Sequence, residues 1–232
     1  MKILFKYPSR DRPDWFMETL QRYYAMLSEE NQCHFLITLN EDDKTMNNSK
    51  MRLFMDGFPN LVYKYGNHKT KIEAVNADME GEEFDILFLV SDDMIPQTSG
   101  FDLIISEDMK EHFPDLDGAL HYDVGGPNAD EKGYSRCIYL SIMGKKLYDW
   151  FGYIYNPIYK SFGCDNEFRD VVYKIKKVVH IPRRIVEHEW KGAGKNRDIL
   201  YARNLKMAKG DIPLYAKRKR KIRMVKNVKD IL

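Results

Sequence analysis

Two adjacent carboxylates, Asp92 and Asp93, end the apolar run Leu87-Phe88-Leu89-Val90, with Ser91 before them and Pro96 soon after to stop the strand. Carboxylate oxygens at the end of a strand buried on both faces suit a hard divalent cation and a phosphate group held by it. Asp also favours a plain strand-to-turn junction, through its own turn chemistry. A second acidic cluster, Asn40-Glu41-Asp42-Asp43, follows an apolar run over residues 33–39. A third, Asp165-Asn166-Glu167, follows Ser161-Phe162-Gly163-Cys164, where acids in a first helical turn are favoured by the backbone dipole. His188 stands late in the chain among Glu187, Glu189 and Trp190.

The elements that must position these groups alternate. Residues 2–7 predict a first strand, which runs into Pro8-Ser9-Arg10-Asp11-Arg12-Pro13. Pro13 suits a first helical turn, and Trp15, Phe16, Leu20, Tyr23, Tyr24 and Leu27 recur at helical spacing. Strands over 33–39, 61–65 and 85–90, with helices over 51–58 and 67–79 between them, argue for a mainly parallel α/β sheet covered on both faces. Such sheets bind ligands beyond the carboxyl ends of their strands, where the first two acidic clusters fall. The second half predicts a helix over 101–112, strands over 118–122 and 136–143, and a mobile loop over 123–133 that contains Gly125-Gly126-Pro127. A helix over 144–153, one from the third acidic cluster to 177, a last strand over 178–181 and a polar helix from 195 complete it. This divides the chain into one domain over 1–194 and a basic helical extension over 195–232.

With 232 residues and 44% hydrophobic content, one large core is affordable, and a net charge of +2 gives no overall preference for polyanions. The charge is uneven: from Lys217 onward eight Lys or Arg face a single acid, Asp230. Such a run is ordinarily a solvated, partly disordered end, and could also dock on nucleic acid or an anionic membrane in a salt-sensitive way. No stretch has the length of a membrane span, and the first apolar residues are too few for a signal peptide, which predicts a soluble, cytoplasmic protein. Cys33, Cys137 and Cys164 are odd in number and lack metal-ligand spacing, which predicts reduced thiols.

In this order the pieces resemble the family 2 nucleotide-sugar glycosyltransferases of the GT-A fold, over roughly residues 2–191. Pro8, Ser9, Arg10 and Arg12 lie in a segment similar to the family's Thr/Ser-Arg-x-Arg-Pro loop beside the donor nucleotide. The resemblance implies that Asp42 holds the base, that Lys69 and Asn76 help close the nucleotide pocket, and that Ser91-Asp92-Asp93 stands in for the Asp-x-Asp motif. The first position of that motif is Ser here, a form that related enzymes also carry. Asp93 would then bind the metal and Asp92 the ribose or a metal-bound water, with His188 completing the metal site. Phe162 to Glu167 resembles the segment that supplies the catalytic base, with Asp165 as first choice and Glu167 as second. The implied activity is inverting, metal-dependent transfer from a nucleoside diphosphate sugar, commonly UDP, to an acceptor hydroxyl. An imidazole ligand favours manganese over magnesium. The acceptor could itself be a polyanion such as modified DNA. Two other classes fit acids at strand ends: another metal-dependent phosphate enzyme, such as a nucleotidyltransferase or nuclease, and a non-catalytic polyanion-binding relative. A nucleotidyltransferase would open on a Gly-rich loop, and Pro8 to Pro13 contains no glycine.

Overall fold

The strand-forming run at the start of the chain becomes β1 (Lys2–Pro8), and it sits in the middle of a sheet because both its faces are apolar enough to be covered. The structure is a computed structural model that describes residues 1–125, 138–189 and 198–231. After β1 come α1 (Pro13–Met26), β2 (Gln32–Asn40), α2 (Ser49–Asp56), β3 (Leu61–Gly66), α3 (Lys71–Asn76), β4 (Ile86–Leu89), β5 (Met94–Pro96) and α4 (Phe101–His112). The second half contributes β6 (Ala119–Tyr122), β7 (Ile142–Gly144), α5 (Lys145–Phe151), α6 (Cys164–Lys174), β8 (Val178–Ile181), β9 (Val186–His188) and α7 (Ile199–Met224). Seven strands form one sheet in the order β3-β2-β1-β4-β7-β6-β8. Strand β1 runs parallel to β2 and β4, β2 to β3 and β6 to β8, whereas β7 is antiparallel to both its neighbours. The expected mixed, mainly parallel α/β sheet is therefore present.

Alternation along β1 divides the core into two layers. Phe5 stacks on Phe35 at 4.5 Å between ring centroids and meets Tyr23 of α1 and Phe101 of α4 on one face. Leu4, Leu36 and Leu87 turn to the other face, against Ile72, Val75, Leu147 and Val171 of α3, α5 and α6. Lys6 also turns that way and is fully buried. Its ammonium donates to Thr38 Oγ1 and to the Ala77 carbonyl at 2.7 Å, and Asp78 stands 4.0 Å away. Burial lowers its pKa to about 8.

The structure departs from the expected elements in places that shape the site. Pro96 does not stop β4, which already ends at Leu89, but closes β5, a three-residue strand paired antiparallel with β9, where a missing N–H is tolerated. Neither β5 nor β9 was expected. The helix expected over 67–79 is only α3: Thr70 caps its start by accepting from the Glu73 amide at 3.1 Å, and Asp78 at φ 66° lies beyond its end. The strand expected over 136–143 is reduced to β7, with Arg136 and Cys137 outside the described residues. Of the loop expected over 123–133, only Asp123 to Gly125 is described. Cys33 and Cys164 are free thiols. No helix among the described residues is long and apolar enough to cross a membrane.

The basic run was expected to be a solvated end, but its first six cations, Lys217 to Arg223, lie within α7, which packs along α6. Asp198 caps α7 by accepting from the Tyr201 amide at 2.6 Å. Ala208, Asp211 and Ile222 are the buried residues of its inward face. The Asp211 carboxylate accepts from the amides of Lys160, Ser161 and Phe162 at 3.1, 2.7 and 2.9 Å, which fixes the segment leading into α6. Two turns further on, Arg218 grips the buried Glu167 with two bonds of 2.5 and 2.9 Å. Its side chain is only 13% exposed. Removing one partner of a buried pair strands the other's charge, so Arg218→Ala should lower the unfolding free energy by about 3 kcal/mol in urea titrations. Lys217→Ala, at an exposed position of the same helix, should change it by less than about 0.5 kcal/mol. Equal midpoints for the two variants would show that the clamp carries no stability.

Candidate functional site

The carboxyl ends of β1, β2 and β4 open into one cleft, bounded further by the start of α3, the start of α6 and the start of α7. Asp92 and Asp93 lie at its floor, both buried, in the turn that connects β4 to β5. Asp92 Oδ1 accepts from Ser9 Oγ at 2.8 Å, and its backbone carbonyl accepts from Thr19 Oγ1 at 2.8 Å, so the loop after β1 and helix α1 both hold it. Asp93 Oδ1 accepts from Ser91 Oγ at 2.6 Å. Pairing of β5 with β9 sets Met94 opposite His188, and this register delivers His188 Nε2 to 3.4 Å from Asp93 Oδ2. Arg12 faces both acids, with Nη1 at 4.0 Å from Asp92 Oδ2 and 3.9 Å from Asp93 Oδ2, while its Nε donates to Asp198 at 2.6 Å.

These surroundings separate the two carboxyls. Burial pushes Asp92 up to about 7, with the negative charge of Asp93 adding to it and Arg12 and the Ser9 hydrogen bond opposing it. Burial also works against charge on Asp93, but the hydrogen bond and charge of His188, helped by Ser91 and Arg12, carry its carboxyl below the usual range. Asp93 is therefore held as an anion beside an imidazole nitrogen. Two donors that each lie about 2.1 Å from one ion stand roughly 3.0–3.4 Å apart, so the spacing of Asp93 Oδ2 and His188 Nε2 fits a shared divalent cation. Phosphate oxygens and water would complete such a site, as is usual for ions held by few carboxylates. Among the described residues the one cluster of three acid or imidazole ligands lies elsewhere, at Asp108, Glu111 and His112 on α4.

The other expected site residues divide into those that line the cleft and those that support it. Pro8, Ser9, Arg10 and Arg12 line it, as do Asp92, Asp93, His188 and Asp165. Asp42 does not: its side chain is 63% exposed and holds Arg10 through two bonds of 2.6 and 3.0 Å. Its neighbour Asp43 is buried and accepts from the Asp11 amide at 2.7 Å, tying the loops after β1 and β2 together. Lys69 lies outside the lining, where its carbonyl accepts from Arg203 at 3.0 Å. Asn76 acts from behind, bonding the backbone of Ile154 and Tyr155 at 2.6 to 3.1 Å while Tyr155 forms the wall. Glu167, the second choice for a base, is not in the cleft. Two residues along a helix from Asp165, it points to the other side, where Asn156 and Tyr159 donate to it at 2.8 and 2.7 Å and Arg218 pairs with it. Sequence reasoning missed His68, Thr70 and Lys71 before and at the start of α3, and Tyr201, Arg203 and Asn204 of α7, all of which line the cleft. The Thr70 cap, with Glu73 three residues on, was a readable signal for the first group. The second group is brought in by tertiary packing alone.

No protein-family model matches the chain, and no curated protein matches it in sequence. Solved structures do match its fold. The mannosyltransferase PcManGT from Pyrobaculum calidifontis, in complex with GDP-Man and Mn2+, superposes with a TM-score of 0.65 at 12% identity, over 90% of this chain and 63% of that one. S. aureus TarS in complex with UDP-GlcNAc gives 0.63 at 12% identity, over 81% of this chain and 58% of that one. A Drosophila galactosyltransferase 7 mutant, in complex with manganese, UDP-Gal and xylobiose, gives 0.51 at 13% identity over 85% and 74%. The chain thus spans less than two thirds of the length of the first two of these neighbours. The shared architecture is the GT-A fold, a Rossmann-like sheet with helices on both faces.

A carboxyl whose pKa rises on folding keeps its proton longer in the folded state, so its contribution to stability is lost as pH climbs from the unfolded value to the folded one. For Asp92 that window runs from 3.8 to about 7. Asp92→Asn, which keeps an oxygen for Ser9, should therefore stabilise the cation-free protein at about pH 8 by up to roughly 4 kcal/mol. Near pH 4 the gain should vanish. A difference between variant and wild type that stays flat across this range in denaturant titrations would show that Asp92 ionises as freely as in the unfolded chain.

Proposed function

We propose that the chain is a divalent-cation-dependent, inverting glycosyltransferase that moves a sugar from a nucleoside diphosphate donor, with UDP the first base to try, to an acceptor hydroxyl. The observation that carries this reading is the set of groups in one GT-A cleft: Asp93 beside His188, Arg12 facing both acids, and Asp165 on the lining at the start of α6. The neighbours crystallised with GDP-Man, UDP-GlcNAc and UDP-Gal, two of them with manganese, support the donor class.

Asp93 and His188 are the residues that would hold the ion, and an imidazole donor favours manganese over magnesium. When bound, a divalent ion supplies Lewis-acid neutralisation of the diphosphate leaving group. Arg12, and Arg10 beside it, add charge-assisted hydrogen bonds to the phosphates. Ser9 and Asp92 offer a hydroxyl and a carboxyl to the ribose. Asp165 takes the proton from the acceptor hydroxyl as that oxygen bonds to the anomeric carbon. The bond from that carbon to the diphosphate oxygen breaks on the opposite face, so the configuration inverts. Its free Cys33 and Cys164 thiols suit a reducing cytoplasm.

Calorimetric titration with nucleoside diphosphates and their sugars, with and without manganese, tests the donor site. Manganese-dependent binding that prefers one base is expected, and Asp93→Asn should weaken it by at least about 10-fold, the loss of one charged ligand. Binding to none of them, or equal binding by Asp93→Asn, would remove the reading. Asp165→Asn should leave donor binding intact and lower kcat by about 100- to 10,000-fold, the range for a lost general base. Full turnover by Asp165→Asn would take that role from Asp165.

A further inference from the structure

Outside the cleft, a charged concave feature lies between α6 and α7. Arg169, Tyr173 and Lys174 of α6 and Lys219 and Arg223 of α7 line an open groove, with Asp170 the acid among them. The two helices run side by side in the same sense, with Phe162 and Asp211 in contact at one end and Lys174 and Arg223 at the other. The groove therefore begins one turn beyond Asp165, about 6 Å along α6, and reaches about 14 Å from it at Lys174.

Its charge is not balanced from within. Asp170 binds Arg169 at 2.6 Å. Lys174 donates to the Arg223 carbonyl at 3.1 Å, and Lys219 lies over the Tyr215 ring at 5.5 Å. Among the described residues no acid lies within ion-pair distance of Lys174, Lys219 or Arg223. Lys219 and Arg223 are one helical turn apart, about 6 Å, a spacing that suits successive phosphates of an extended strand. Tyr173, 41% exposed, presents a flat ring in the same groove, with its hydroxyl 2.9 Å from His121 Nδ1 to fix it. Cations that track a backbone beside an aromatic platform are what a single nucleic-acid strand requires. A membrane, being flat, would meet only the rim of a groove.

We propose that the groove between α6 and α7 binds one strand of a nucleic acid, with Lys219 and Arg223 on its phosphates and Tyr173 under a base. If the cleft is a transferase, a reading on which only this last step rests, the strand leads the acceptor hydroxyl to Asp165 and the acceptor is a nucleotide unit of the polymer.

Fluorescence anisotropy of the whole chain with a fluorescein-labelled oligothymidylate, read at several salt concentrations, tests the groove without any donor. Lys219→Gln combined with Arg223→Gln should weaken binding at least about 10-fold and reduce the slope of log K against log salt by about 1.4, two phosphate contacts' worth for a single strand. Tyr173→Ala should weaken it by about 5-fold or more. A triple variant on the outer face of α7, Lys217→Gln, Arg220→Gln and Lys221→Gln, should bind within about 3-fold of wild type, since its charges do not face the groove. Manganese-dependent UDP binding should be unchanged in every variant. Failure of the oligothymidylate to bind overturns the proposal. So do an equal loss in the outer-face variant, binding to phosphatidylserine vesicles in place of the strand, and displacement of the strand by poly-glutamate at matched charge. If the strand binds as described while UDP does not, the transferase reading fails and the groove stands.

Discussion

Two carboxylates in one buried turn repel each other, and the arrangement of the cleft follows from how this repulsion is met. Arg12 stands about equally far from both, at 4.0 and 3.9 Å, and so compensates the pair rather than either member. The remaining difference comes from hydroxyl and imidazole partners: Ser9 serves Asp92, and Ser91 with His188 serves Asp93. One acid is thereby held charged and the other left near its midpoint at neutral pH. An unsupported pair would be costly in this dry environment, which is why so many elements converge here. The loop after β1, helix α1, the β5–β9 ladder and the cap of α7 each supply one contact.

The first half of the fold was legible because its signals are local. Apolar runs of strand length, Pro13 at a helix start and acids at strand ends placed β1, α1, β2, β3 and β4 within a residue or two. The floor of the cleft followed, since Ser91-Asp92-Asp93 must lie where β4 ends. What escaped was set by distant partners. A three-residue strand such as β9 has no period to read, and its place is decided by β5, some ninety residues earlier. Asp42 and Asp43 could not be told apart by type; only the fold shows that one is exposed on Arg10 and the other buried under the Asp11 amide. The ambiguity between Asp165 and Glu167 was of the same kind. Both suit a first helical turn, and only the fold shows that Asp165 lines the cleft while Glu167 turns away to Arg218.

The C-terminal helix illustrates the limit of reading charge as a run. Eight cations in sequence suggest a single sticky end, but the helical period sorts the six that lie in α7 by direction. Arg218 turns inward to Glu167, Lys219 and Arg223 turn to the groove, and Lys217, Arg220 and Lys221 face solvent. Its N-terminal half is no appendage either, since Tyr201, Arg203 and Asn204 form part of the cleft wall and Asp211 fastens the backbone before α6.

The links between Asp93 and His188 and between Arg12 and Asp198 join residues that are far apart in the order of synthesis. A ribosome that adds about 5–20 residues per second delivers His188 and Asp198 some 5 to 20 seconds after the two acids have emerged. During that interval Arg12 is already made but His188 is not, and the antiparallel partner of β5 does not exist. The nascent sheet therefore carries an incompletely screened carboxylate pair, and an edge at β4 open until β7 arrives. That edge closes first, when β7 emerges, and the carboxylate pair gains His188 and the Asp198-held Arg12 only with β9 and the start of α7.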